Sequence, residues 1–217
     1  IGYEKRKHNV SLSLQLFGHL AVRINFTYCD KISVVTSRIR DILHCRNKVP
    51  LSKMVVIPSG ANVSLFKPLP KRECRRMLNL DTEKRYIGFV GTFFKDRGVD
   101  VLIDCTPSVL KQFPDAKFLI VGDGPMKGEW MRKVSDERIG NSFIFTGWVP
   151  YELVPKYMGA MDVCTAPFLR SVGESSAIKI FDYFACGRPV IASEIKPVSD
   201  FLIRTEALLV PPEDPKV

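Results

Sequence analysis

Hydrophobic and polar positions alternate in two different rhythms along the chain. Between Ser11 and Tyr28, apolar residues stand at 12, 14, 16, 17, 20, 21, 24 and 26, and the length of the run predicts a helix rather than a strand. Lys31–Thr36 then reads as a short strand, and Ser37–His44 as a helix with Ser37 or Thr36 as its N-cap. Met54–Ile57 is a second strand, stopped by the turn signal Pro58-Ser59-Gly60. Pro68–Pro70 is a linker, and the basic stretch Lys71–Arg76 begins the next helix.

From Tyr86 onward short apolar strands recur, at Tyr86–Val90, Lys117–Val121, Ser142–Phe145, Asp162–Pro167, Pro189–Ala192 and Ala207–Val210. Amphipathic helices fill the intervals, at Gly98–Phe113, Met126–Val134, Pro150–Met158, Ala177–Ala185 and Lys196–Arg204. Strands without polar alternation, separated by helices, predict a parallel sheet covered on both faces. The fold class is therefore α/β, a doubly wound Rossmann-like domain.

In such sheets ligands bind where strands run into helices. The first of these loops, Gly91-Thr92-Phe93-Phe94-Lys95-Asp96-Arg97-Gly98, brackets two cations with glycines just before a helix. Free N–H groups and partial positive charge at a helix start suit phosphate, and Arg97 could grip a diphosphate with two donors. The same run also reads as a solvated surface turn. The second loop, Gly122-Asp123-Gly124-Pro125, allows close backbone approach. It lacks the third glycine and the acidic ribose partner of a dinucleotide fingerprint. The third, Thr146-Gly147-Trp148-Val149-Pro150, could offer backbone groups to a base edge and Trp148 for stacking, or could simply pack.

The richest segment runs from Gly173 to Ser193. Glu174 precedes the small-residue turn Ser175-Ser176-Ala177, and Asp182 lies eight residues on, within the following helix. Carboxylates so placed could take hydroxyls from two sugars, with phosphate between them at the helix start. Lys179 puts a cation in the first helical turn, where the dipole disfavours it, and a locally unfavourable residue is a sign of function.

Composition changes this picture in two places. The 217 residues carry a net charge of +9, but residues 1–80 hold 15 Lys/Arg against 4 Asp/Glu, while residues 81–217 hold 17 against 19. The excess belongs wholly to the first third and suits an anionic partner, or else a solvated basic face. The six cysteines, at 29, 45, 74, 105, 164 and 186, form neither a disulfide framework nor a metal motif. Cys105, Cys164 and Cys186 sit in apolar context and read as buried, inert thiols. The chain opens on Ile1 with no signal-like segment and stops in a Pro/acidic turn, so both ends read as cut.

Taken together, the loops resemble the C-terminal half of retaining glycosyltransferases with the GT-B fold, specifically glycosyltransferase family 4 (group 1), from about Tyr28 to Pro212. Residues Val56 to Pro68 look like that family's interdomain junction, Gly91–Gly98 like its Gly-Arg-Leu…Lys-Gly loop, and Gly122–Pro125 like its Gly-x-Gly-Pro turn. Glu174 and Asp182 fit its Glu-x7-Glu motif, followed by Gly187-Arg188-Pro189-Val190-Ile191-Ala192. The resemblance implies a nucleotide-diphosphate sugar donor, UDP- or GDP-linked, with no further cofactor and no metal. It gives Glu174 the donor sugar hydroxyls and Arg97 a phosphate, both as catalytic groups. Donor binding falls to Gly91, Thr92, Lys95, Gly122, Gly124, Gly147, Val149, Ala177, Ile178, Lys179 and Asp182. Within that set, Ala177 and Ile178 offer backbone N–H groups to the diphosphate, Asp182 holds the ribose, and Gly147–Val149 lie along the base. Thr92 stands where the family has an Arg, Asp182 is one methylene shorter than the family's Glu, and Lys95 is the compensating cation.

On the same resemblance, residues 1–57 are the remnant of an acceptor-side domain, helices and a strand, and residues 58–217 the donor domain, truncated at its C-terminus. The expected acceptor is a glycan or a lipid. The expected location is the cytoplasm, with peripheral membrane association through the basic N-terminal part. The rival reading is a non-catalytic nucleotide-sugar-binding module or subunit completed by a partner chain. A dehydrogenase lacks its glycine and acidic partner, and nucleic-acid binding has charge but no aromatic RNA motif.

Overall fold

The computed structural model describes residues 24–172, 178–196, 198, 202 and 207–216. They divide after Ser59 into two compact units.

In the first unit, residues 24–28 are helical. Strand β1 (Ile32–Val34) leads into helix α1 (Ser37–Asn47), and a tight turn at Leu51–Lys53 leads into strand β2 (Met54–Val56). Thr36 is the N-cap of α1: its backbone is extended and its Oγ1 accepts the Ile39 N–H at 3.0 Å. The sequence predicts both strands separately. The structure pairs them in parallel, Ile32 beside Met54 and Val34 beside Val56, so this unit holds two paired strands rather than one. Two of its lysines serve the backbone. Lys53 Nζ donates to the carbonyls of Thr27 at 2.7 Å and Cys29 at 3.1 Å, and Lys31 Nζ to that of Ser52 at 2.7 Å.

The second unit is built on six parallel strands. They are β3 (Arg85–Val90), β4 (Ala116–Val121), β5 (Phe143–Gly147), β6 (Val163–Ala166), β7 (Val190–Ser193) and β8 (Leu208–Val210), in the spatial order β5-β4-β3-β6-β7-β8. The helices are α2 (Lys71–Met77), α3 (Val99–Gln112), α4 (Lys127–Asp136), α5 (Val154–Ala160) and α6 (Ile178–Ala185). The predicted helix Lys196–Arg204 lies mostly outside the described residues; Lys196, Val198 and Leu202 are helical.

Both faces of the sheet are covered, which is why its strands are apolar without alternation. Along β4, Phe118 and Ile120 join a core with Phe89, Trp130 and Phe143, whereas Leu119 and Val121 join one with Tyr86, Met158, Cys164 and Tyr183. The thiols of Cys164 and Cys186 are buried, and burial pushes Cys186 up to about 11. Cys105 is half-buried, and burial pushes it to about 11 as well.

At the amino ends of β3 and β6 a charged junction holds α2 to the sheet. Arg75 is buried; its Nε donates to the Ala160 carbonyl at 2.9 Å, Nη1 to Thr82 at 2.8 Å and Nη2 to Asp162 Oδ2 at 2.6 Å. Asp162 also accepts Lys71 Nζ at 2.6 Å and the Tyr86 N–H at 2.7 Å. Burial works to raise the Asp162 carboxyl, but these donors outweigh it and hold the group below the usual carboxylate range. A carboxyl depressed in the folded state contributes stability above its unfolded value, about 3.9, and loses it as pH falls further. Asp162→Ala leaves a buried guanidinium without its anion and should cost about 3 kcal/mol, read by denaturant unfolding at pH 7. Asp162→Asn should flatten the loss of stability below about pH 4.

Candidate functional site

Sheet order reverses between β3 and β6: the chain leaves β3 toward β4 on one side, and β6 toward β7 on the other. At such a switch point the two outgoing loops part and leave a crevice outside the carboxyl ends of the strands. The ladder shows the opening. β3 and β6 pair only at Ile87 with Val163 and Gly88 with Cys164. Beyond that pair the Tyr183 hydroxyl stands between the strands, accepting the Val90 N–H at 2.9 Å and reaching the Thr165 carbonyl at 3.3 Å.

The loops around this point are fastened through their backbones. The Gly91 N–H donates to Val121 O at 3.0 Å, Phe93 N–H to Asp123 O at 2.9 Å, Met126 N–H to Phe93 O at 3.0 Å and Gly122 N–H to Gly147 O at 3.2 Å. This needs glycine at 122, where φ is +133° and a β-carbon would lie 2.0 Å from the Gly91 carbonyl oxygen. Across the crevice, the Leu169 N–H donates to Asp96 O at 3.1 Å. Gly98, at φ +71°, leaves room for the Pro167 carbonyl, which a β-carbon would meet at 1.7 Å.

Lys179 is the unusual side chain of the site. Its stem is partly exposed, but its Nζ is shut off from solvent and has no hydrogen-bond partner among the described residues. Nζ lies 4.0 Å from the Phe89 ring centroid and 5.2 Å from that of Phe168. It also fills the space a Gly91 β-carbon would take, 2.7 Å away. Burial and then the Arg97 charge lower Lys179 to about 7, with Asp96 opposing. One turn further along α6, burial raises Asp182 to about 6. Two groups moved toward neutrality by their surroundings, at a switch point, make this the candidate functional site.

The other sequence-predicted residues distribute as follows. Thr92 and Lys95 are exposed. Arg97 is half-buried, 3.6 Å from Asp96 and over the Phe168 ring at 5.7 Å. The Lys-Asp-Arg run is thus a tight turn packed under the β6 loop rather than a fully solvated one. Gly122, Gly124 and Gly147 lie in the fastened loops, with Asp123 between them accepting Lys127 Nζ at 2.7 Å and the Gly124 N–H at 2.8 Å. The Lys127 contact first, then the Gly124 N–H, lowers Asp123 below its ordinary value. Trp148 is 74% exposed beside half-buried Val149. Ile178 opens α6 on its exposed side. Glu174 and Ala177 lie outside the described residues. Phe89, Phe168 and Asp96, which enclose Lys179, are absent from the sequence-derived set, because no local spacing marks residues that meet only across the crevice.

An apolar groove of about 460 Å³ lies elsewhere, between α3 and the sheet, lined by Leu102, Cys105, Val109, Ile87, Val163 and Ile191. Its lining is mainly apolar, with Asp162, Thr165, Ser193 and Glu213 also bordering it, and it lies away from the glycine-bearing loops, which are the candidate site. Among the described residues, no three His, Cys, Asp or Glu side chains are grouped as a metal site, and no helix is long and apolar enough to cross a membrane.

The family described as "Glycosyl transferases group 1" matches residues 84–217. A 2-deoxystreptamine N-acetyl-D-glucosaminyltransferase of Streptomyces fradiae is 27% identical over 190 residues, covering 85% of this chain and 44% of that protein. A phosphatidyl-myo-inositol mannosyltransferase of Mycolicibacterium smegmatis is 31% identical over 165 residues, 75% of this chain and 40% of that one. The chain thus spans less than half the length of these curated relatives. Among solved structures, Anabaena HepE in complex with UDP and glucose superposes with a TM-score of 0.73 at 16% identity, over 93% of this chain and 56% of that one. WaaG, a glycosyltransferase involved in lipopolysaccharide biosynthesis, gives 0.73 at 14%, over 86% and 50%. Both show a shared fold, that of the GT-B glycosyltransferases.

Three substitutions test how these loops are fastened. Gly122→Ala should lower stability by about 3 kcal/mol, while Gly128→Ala, where a β-carbon meets nothing within 4 Å, should raise it slightly. Tyr183→Phe strips the Val90 N–H of its buried acceptor and should cost about 1–2 kcal/mol. Denaturant midpoints read all three.

Proposed function

The chain belongs to the group 1 glycosyl transferases, and from that membership we propose that it holds the donor site of a retaining, nucleotide-sugar-dependent hexosyltransferase acting on a glycan or lipid acceptor. The observation that carries this reading is the convergence of three glycine-bearing loops and the first turn of α6 on one switch-point crevice. The glycines let a ligand approach the backbone closely, and the start of α6 with Arg97, joined by Lys179 once it is protonated, offers positive charge to a diphosphate. That charge develops its full effect when the sugar departs: the leaving nucleoside diphosphate gains negative charge as the glycosidic bond breaks, and donors fixed in advance stabilise it without reorganising.

Within this reading each group has one task. Asp182 accepts ribose hydroxyls, Glu174 the hydroxyls of the transferred sugar, and the Gly147–Val149 backbone lies along the base, with exposed Trp148 at its edge. No cofactor enters, since the cationic side chains and the helix start neutralise the diphosphate. HepE, which shares the fold and is solved with UDP and glucose, supports a nucleotide as the ligand class.

Titration calorimetry tests the reading. UDP or GDP should bind the full chain with a Kd in the micromolar range, and uridine or guanosine alone should bind far more weakly. In the transferring enzyme, Glu174→Ala should reduce turnover by about a hundredfold or more. Product NMR should show the anomeric configuration of the donor kept. Absence of binding by either nucleotide overturns the donor-site assignment. Binding without turnover in the whole protein favours a non-catalytic module instead.

A further inference from the structure

On the reading that a donor diphosphate binds at this crevice, we infer that Lys179 meets it as a neutral amine and takes up one proton from solvent as the diphosphate arrives. Donor binding is thereby coupled to protonation. No covalent bond forms or breaks; the amine lone pair accepts a proton, and the new ammonium pairs with a phosphate oxygen.

The geometry supplies the reason. An ammonium deprived of water and of every hydrogen-bond acceptor is expensive, and proteins escape that cost by shedding the charge. Among the described residues Lys179 Nζ is in that position, sealed and without a hydrogen-bond partner, with two aromatic faces that only partly offset the cost. Among the described residues, the charged groups acting on it are few. The turn after β3 brings Arg97, which repels a proton there, and Asp96, which attracts one. Among the described residues, β3 and the loop after β6 contribute the rings of Phe89 and Phe168. Its own helix carries Asp182 and Tyr183 one turn further on. The balance leaves the group at about 7.

What makes this a site rather than a buried accident is its position. Nζ lies against Gly91, the residue directly after β3, where the switch-point crevice begins. The partly exposed stem reaches the surface, and its four-carbon length lets the tip turn outward. A diphosphate at the start of α6 would be the missing acceptor. Its charge favours the ammonium and raises the lysine's pKa, so protons are bound on complex formation wherever the free chain is largely deprotonated. At pH 8 the free side chain is about 90% neutral if it titrates near 7, and the uptake approaches one proton. Affinity should then fall nearly tenfold per pH unit between pH 8 and 9. Working at pH 8 also keeps the terminal phosphate fully ionised, since its last ionisation lies near 6.

The experiment is calorimetry of UDP and GDP binding at pH 8 in HEPES and in Tris, whose ionisation enthalpies differ. An enthalpy difference corresponding to about 0.7–1 proton taken up per nucleotide is expected, with none for uridine. Lys179→Met should abolish the uptake and weaken nucleotide binding by about tenfold or more, without lowering the melting temperature, since methionine suits the apolar niche. Lys179→Arg, which cannot lose its proton, should bind with no uptake and a flat pH profile. Asp182→Asn should keep the uptake. Independently of any ligand, one lysine Cε resonance should titrate near pH 7 in the free chain and vanish in Lys179→Met. Nucleotide binding with less than about 0.2 proton taken up, or unchanged affinity and uptake in Lys179→Met, overturns the inference while leaving the donor site standing. No binding by either nucleotide, by contrast, removes the reading on which it rests.

Discussion

A parallel sheet that winds outward in both directions from one pair of strands has to leave that pair open at one end. Here the pair is β3 and β6, joined by only two residue pairs before they part. The molecule fastens both ends of the gap by different means. At the amino ends a carboxylate, Asp162, receives the Tyr86 N–H together with a lysine and a buried arginine. At the carboxyl ends a phenol, Tyr183, bridges the diverging backbones, and beyond it Gly98 admits the Pro167 carbonyl. The positions of the loops, of α6 and of Lys179 follow from holding this one seam neither shut nor loose.

The basic first third looks different once its side chains are placed. Lys53 and Lys31 satisfy backbone carbonyls, Lys71 and Arg75 meet Asp162, and Arg72 pairs with Glu83 at 3.0 Å. Part of the excess charge thus serves as internal fastening, which a count of charges along the chain cannot distinguish from an electrostatic surface. The exposed pairs among these contribute little to stability; the buried Arg75 contact is the one on which packing depends.

The layout of elements was legible because it rests on local pattern. Unalternated apolar strands and amphipathic helices are visible in any window of ten residues, and the Thr36 cap is a side chain bonding to its own helix. Strand ends moved by one or two residues, as at β5, which continues to Gly147 where the sequence reading stopped at Phe145. What pattern could not reveal was every contact made across long stretches of chain. Arg75 and Asp162 are 87 residues apart, and Lys179 meets rings at 89 and 168. The sequence marked Lys179 as out of place in a first helical turn. Only the fold shows that it is also out of water.

The hydrogen bonds that lace the loops after β3, β4 and β5 have a consequence for the thermodynamics of recognition. Loops that already share their amides and carbonyls have little conformational freedom left to surrender. A ligand entering the crevice would therefore be spared most of the ordering entropy that flexible binding loops lose, so that even modest contacts could give useful affinity. The same fastening limits adaptation. With backbone against backbone at Gly122 and at Gly98, these parts of the loops have little room to reshape around different occupants, which shifts discrimination toward side chains.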